Sequence, residues 1–414
     1  MASPSARASR NCSRVLNVAK FTHARGALLV GCLLGFSGPA LASPDFPAPL
    51  VQVFAGTDTG VNARTWITRQ DRDGRLFFGA DALVTYDGDR WSQFPIPGSS
   101  ALRGLDLGPD GKIWAAAADE FGWFDQNAAG IWIFHSLRSH LATTHDPVLG
   151  EIWSAFAQGR GAVFVTTEKI LRWDGTSLQV WKFPGGRRLP ALRAGDSLFF
   201  QHLPTGLYRL GPAGPELVIP ASVLANVGVL WMEQRLDGLR LATTDGLFTY
   251  ANGALRPLAP AASAYAKANL ATCATPLPDG RLVFGTYEGG LVVVGRDGAL
   301  DRLVTTDQGL PTNAITSVFV DRDGELWATA GDAIIRVSLG TPSAFYGPRA
   351  GLPAQAVESL ARSGDTLYAS ADNRVFALKD GTHRFEPLPG LRKYFWELQA
   401  TPDGLLVGGT GGIL

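Results

Sequence analysis

One alternation of apolar and polar positions returns about every forty residues along this chain of 414 residues. An apolar run meets a short polar turn closed by Asp-Gly, and a strand of aromatic, aliphatic and small residues follows. It is spelled DRDGRLFFG at Asp71 to Gly79, GPDGKIWAA at Gly108 to Ala116, PDGRLVFGT at Pro278 to Thr286 and DRDGELWAT at Asp321 to Thr329. Further copies stand at Leu236 to Thr244 and Pro402 to Thr410, with degenerate ones at Gly159 to Thr167, Gly195 to Gln201 and Gly364 to Ser370, which makes nine starts. In the first unit, Trp66 to Gln70, Arg75 to Gly79, Leu83 to Tyr86 and Trp91 to Phe94 read as four β-rich runs in consecutive hairpins. Type I′ turns are expected at Asp73-Gly74 and Asp87-Gly88, since such turns need positive φ at both central residues. A unit of this length cannot bury its own apolar face and must stack on neighbours. Four short strands per unit make a propeller blade. The predicted fold is therefore all-β, a β-propeller of four-stranded blades forming a seven-bladed ring, with the opening blades of a second. Helical solenoids are excluded, because no segment sustains a 3.6-residue apolar spacing and 49 Gly with 26 Pro would break one.

The first 42 residues have another character. A basic stretch to Arg25, an apolar core from Ala27 to Phe36 and Ala40-Leu41-Ala42 read as a signal peptide cleaved before Ser43. Its core is shorter than the roughly 20 residues that span a bilayer. A lipoprotein reading through Leu29-Val30-Gly31-Cys32 is the alternative. Residues 43–49, with three prolines, form a linker, and residues 50–345 the first propeller of about seven blades. Within it, Leu50 to Ala55 is expected as a lone strand that completes the last blade, closing the ring without an open edge. Residues 346–414 start a second propeller, and the sequence stops inside a blade at Gly411-Gly412-Ile413-Leu414, as in the front part of a longer protein.

Composition narrows the class. Charged residues are 18% and hydrophobic ones 46%, as expected when most strands are sandwiched between blades. Five of the 37 basic residues and none of the 37 acidic ones fall in the first 42, so the remainder carries 32 against 37, a net −5. A nucleic-acid partner would want the opposite sign and is not expected. Cys12 and Cys32 fall in the leader, which leaves Cys273 alone and no internal disulfide.

These motifs resemble the two-component regulator propeller repeats, whose phrase is an apolar run, Asp-x-x-Gly, a Leu-Trp-aromatic strand, Gly-Thr and a Gly-Leu-x-x-Tyr strand. Asp307 to Thr329 matches closely, and Arg349 to Ser370 more loosely. Thr65 to Trp91, Asp119 to Asp125 and Gly150 to Phe156 follow in an order similar to the amino-terminal sensor region of large bacterial signalling proteins. Units three, four and eight depart by losing the Asp-Gly turn. The resemblance implies a periplasmic, ligand-binding input module whose parent is held in the inner membrane by a later segment and has a cytoplasmic output, most often a histidine kinase. It also implies a small molecule or oligosaccharide as ligand, and self-association through the propeller or the missing carboxyl-terminal region.

Candidate chemistry is sparse. There is no phosphate-binding Gly-rich loop, no His-Glu-x-x-His and no nucleophile elbow, so no catalytic residue and no cofactor is expected. Asp71-x-Asp73-Gly and Asp321-x-Asp323-Gly lack the distal Glu of a calcium loop and read as turns. His135, His140 and His145 stand at five-residue spacing in an enlarged connection and read as surface loop, with no metal. Trp66, Trp153 and Trp396 each lie eight residues before a turn glycine, and Trp231 seven before Gly238. Indoles at blade starts either stack on a ligand or fill blade wedges. They are the candidate ligand-binding residues, with Asn62, Arg64, Asn313 and Lys393 in comparable loops. A propeller enzyme of lyase or lactonase type is the alternative; it needs a His or carboxylate pair at the channel.

Overall fold

The structure is a computed structural model that describes residues 49–414, apart from 61–63, 99–100, 144–148, 184–190, 226, 341–345, 380–383 and 403. The leader, Asn62, His145 and His383 lie outside the described residues. Six four-stranded meanders follow one another, each entered at its innermost strand. Their inner strands are Ile67–Gln70, Leu102–Leu107, Ile152–Gln158, Ala191–Ala194, Val229–Arg235 and Ala271–Pro276, in blades one to six. Blade seven takes Ile315–Val320, Leu326–Ala330 and Ala333–Ser338 from the end of the ring and its fourth strand, Leu50–Phe54, from the beginning. That strand pairs antiparallel in the register Leu50↔Ser338 to Phe54↔Ile334. The inner strand of blade seven packs against that of blade one, so the ring closes. Beyond it stand a four-stranded sheet from Val357–Ser363 to Glu386–Arg392 and a three-stranded one from Phe395–Thr401 to Gly412–Ile413.

Period-2 strands expose two apolar faces per blade, and the ring buries both. Each of the seven blade interfaces holds its own apolar cluster among the described residues. At the closing interface Phe54 stacks on Trp327, ring centroids 5.6 Å apart, and meets Trp91 edge-on at 5.4 Å. Arg322 of blade seven reinforces the seam. Its backbone N–H donates to Gln70 Oε1 at 2.8 Å and its Nη1 to the Arg72 carbonyl at 2.7 Å.

The turns correct the expected type I′ geometry. Asp71 N–H donates to the Arg75 carbonyl and Gly74 N–H to the Asp71 carbonyl, closing a three-residue loop in which Gly74, φ 91°, is left-handed and Asp73 is not. The cause is the Asp71 side chain: its Oδ1 accepts from the N–H groups of Asp73 and Arg75, which favours a type I turn followed by a left-handed glycine. At the second site, Gly88 alone has positive φ, at the first central position, as in type II′. Type I′ occurs instead at Asn252-Gly253, φ 51° and 77°.

Candidate functional site

The ring surrounds a channel of about 600 Å³ walled by inner-strand residues. All seven inner strands run the same way along it, so its two ends are chemically distinct. Trp66, Trp231 and Thr244 stand at the end where these strands begin; Arg69, Asp106 and Arg193 stand at the other. Roughly 10 Å of strand separates Trp66 from Arg69, at the usual rise per residue. Along its length the wall carries hydroxyls, among them Thr68, Thr272, Thr275 and Ser317. The Thr316 hydroxyl is buried with no hydrogen-bond partner.

The structure brings some of the candidate residues together. Trp66 and Trp153 meet edge-to-face at 6.1 Å. Arg103 reaches both, its guanidinium carbon 5.4 Å from the Trp66 ring and 4.3 Å from that of Trp153. Arg103 stands eight residues before Gly111, so Trp66, Arg103 and Trp153 hold one repeat position in three successive blades. Its side chain is only 13% exposed, and Nη1 lies 3.1 Å from Glu151 Oε1 while Nε has no partner. Trp231 lines the channel while its ring packs on the wedge cluster between blades five and six. Trp396 is elsewhere, on the three-stranded sheet, 47% exposed and tilted against Tyr394. Arg64 is exposed over the Trp66 ring at 5.3 Å. Asn313 caps a loop, its Oδ1 accepting from Thr306 N–H at 2.9 Å. Lys393 is exposed beside Tyr394 on the three-stranded sheet's approach.

The charged end of the channel was not among the sequence candidates. Asp106 Oδ2 accepts from Arg193 Nη2 at 2.7 Å and from Ala157 N–H at 2.8 Å, while Arg69 Nε lies 3.7 Å from Oδ1. Asp106 and Arg193 also line a second cavity of about 680 Å³ under blades one and two. Burial pushes the Arg69 guanidinium below its ordinary pKa, Asp106 opposes that and Arg193 adds to it. A signal existed in the sequence: Arg69 and Asp106 both stand five residues before a turn glycine, Gly74 and Gly111.

No described histidine lines the channel. His135 Nε2 meets Asp125 Oδ1 at 2.7 Å on an outer strand, and His140 lies against Trp173. His202 Nδ1 is 2.7 Å from Thr205 Oγ1.

One repeat shows what its motif is for. In blade seven the Asp321 carboxylate accepts two turn N–H groups with Oδ1 and the Trp327 indole N–H, at 2.8 Å, with Oδ2. This Asp-x-x-Gly-x-Leu-Trp segment lies in residues 309–332, which match the family described as "Two component regulator propeller". The chain carries a repeat of that family there. Solved structures agree on the propeller fold. The extracellular domain of a hybrid two component system from B. thetaiotaomicron superposes with a TM-score of 0.62 at 17% identity, covering 88% of this chain and 53% of that one. A second such domain from the same organism gives 0.54 at 15% identity, covering 89% and 52%. The chain thus spans about half the length of these relatives. Virginiamycin B lyase from Staphylococcus aureus gives 0.52 at 13% identity, covering 70% of this chain and 99% of the lyase. No curated protein matches by sequence.

Proposed function

We propose that this chain is the extracytoplasmic, ligand-binding sensor part of a two-component signalling protein. It binds a small molecule or oligosaccharide in the propeller channel and reports it to a cytoplasmic output, a histidine kinase, in a longer parent. The observation that carries the reading is the channel itself: indoles at one end, a hydroxyl-rich wall, and a volume of about 600 Å³ that suits one or two sugar rings. The family repeat and the printed description of the B. thetaiotaomicron domains as extracellular parts of two component systems support the signalling context. The leader reading supports periplasmic placement, and among the described residues no helix is long and apolar enough to cross a membrane. The lyase reading has no observation here in its favour, since the channel wall offers no described histidine.

The test is tryptophan fluorescence of the purified chain titrated with mono- and disaccharides, neutral and acidic, beside the Trp66→Ala and Trp231→Ala variants. A saturable change that weakens about ten- to a hundredfold in either variant, with near-normal urea melts, supports the sensor. Losses of about 3–5 kcal/mol in both melts would make these indoles wedge packing. Turnover of a lactone or glycan by the chain would overturn the sensor assignment.

A further inference from the structure

Three charged residues line the channel, Arg69, Asp106 and Arg193, and they do not balance. Asp106 is already engaged by Arg193 and by the backbone of blade three through Oδ2. Its remaining oxygen faces Arg69 only loosely, at 3.7 Å, beyond hydrogen-bond distance. Arg69 makes one hydrogen bond, from Nη1 to the carbonyl of its own neighbour Thr68 at 2.8 Å. A guanidinium has five N–H donors in a planar fork, so most of this one's capacity is unmatched by protein. Arg193 donates to the Ala157 carbonyl and to Asp106 through one nitrogen, Nη2. The strand ends therefore hold two cations against one carboxylate, in a chain whose part after residue 42 is net negative.

Arg69 and Arg193 are 29% and 40% exposed, so water serves their unmatched donors until an anion with better-placed oxygens displaces it. An anion held by both guanidinium groups would meet two charges at once. Guanidinium forks match the paired oxygens of carboxylate and sulfate, which is how arginine differs from lysine here. About 10 Å away the channel presents Trp66 and Trp231, with Arg64 and Arg103 over the Trp66 ring and no charged lining residue between these indoles and the far arginines. A complementary ligand is amphiphilic along its length, ring at one end and anion at the other.

We propose that Arg69, with Arg193, forms an anion-recognition subsite at the far end of the channel, and that the ligand is an acidic molecule, a sugar ring or aromatic ring bearing a carboxylate or sulfate group. This rests on reading the channel as the ligand site. Asp106 is then a positioning residue, holding Arg193 while competing weakly for Arg69.

Selective ¹⁵N labelling of arginine in the intact chain lets the Nε–H signals of Arg69 and Arg193 be followed while D-glucuronate, inorganic sulfate or methyl glucoside is added. Both signals should move saturably with glucuronate, and methyl glucoside should leave them in place. A response to sulfate alone would keep the anion subsite and set carboxylates aside. Arg69→Gln should weaken glucuronate binding about tenfold or more, and Arg69→Lys should retain part of it. Asp106→Asn should tighten it, an outcome that a purely structural triad would not give. Unmoved arginine signals with both anions, or equal movement with methyl glucoside, would overturn the subsite. If tryptophan fluorescence still answers a neutral sugar in that case, the sensor reading stands while this assignment falls; silence in both assays removes both.

Discussion

Blade two contains a defect that blade seven shows how to repair. Gly108 and Asp321 hold the same turn position, each accepting the N–H of the turn glycine three residues on and donating to a carbonyl four residues on. Six residues after each stands a tryptophan, Trp114 or Trp327. Asp321 satisfies the Trp327 indole N–H, whereas Gly108 has no side chain, and the Trp114 indole N–H, on a ring only 2% exposed, has no partner. Gly108→Asp should supply the missing acceptor. A hydrogen bond to a charged acceptor contributes about 1.5–3 kcal/mol. Replacing glycine at a residue without positive φ adds a few tenths to about 1 kcal/mol through the unfolded chain. Against this, a Cβ at 108 would press on the Lys112 carbonyl at 3.3 Å and stand 2.6 Å from Asp110 Oδ1, so that flexible side chain must swing away from Lys112. The ion pair it leaves is partly exposed at 2.9 Å and of little value. Asp323 accompanies Asp321 in the equivalent turn, so the two carboxylates are compatible. The net expectation is a gain of about 1–2 kcal/mol, read as a higher urea midpoint at unchanged slope. Asp321→Ala should lose about 2–3 kcal/mol or more, since it strands three N–H groups at once. A neutral or destabilising Gly108→Asp, together with a loss under about 0.5 kcal/mol for Asp321→Ala, would refute the claim that this Asp–Trp bond is what the motif provides.

Two more expectations follow from burial. Phe54→Ala removes a ring that touches Trp327, Trp91 and Tyr86 at the closing seam, and should cost about 3–5 kcal/mol in denaturant melts; a loss below about 1 kcal/mol would show that the seam does not depend on it. Burial pushes the Cys273 thiol up to about 11, so alkylation by iodoacetamide should be slow at pH 8 and accelerate only as pH approaches that value. The raised value also means that the thiol favours the folded state below its unfolded pKa, a contribution lost as pH rises from about 8.5 through about 11. Rapid labelling at pH 8 in the folded protein would contradict this.

The blade grammar was legible because it is local. Asp71, Gly74 and the alternating run to Gly79 specify a hairpin within nine residues, and each unit repeats the instruction. The turn type was misjudged because Asp-Gly also serves a three-residue loop, and the choice depends on the carboxylate of Asp71, two residues upstream of Asp73. The charged end of the channel is a different problem. Arg193 meets Asp106 across 87 positions of sequence, and neither residue departs from strand composition by itself. Aligning one repeat position around the ring would have brought Arg103 between Trp66 and Trp153. Trp396 shares their spacing but belongs to a separate sheet, where spacing carries no information about the channel.

The borrowed strand has a consequence in time. Phe54 must wait for Ile334, 280 positions later, before it has a strand partner. At a synthesis rate of about 5–20 residues per second, Trp91 precedes Ile334 by roughly 12–49 s, an interval in which blade one presents Phe78 and Trp91 without Trp327 and Ile334 seated on them. Contacts this distant in sequence come last and slow the overall rate, because the loop must close before the contact is rewarded. Ring closure is therefore a single late event, and the chain is most open to wrong pairing while it waits.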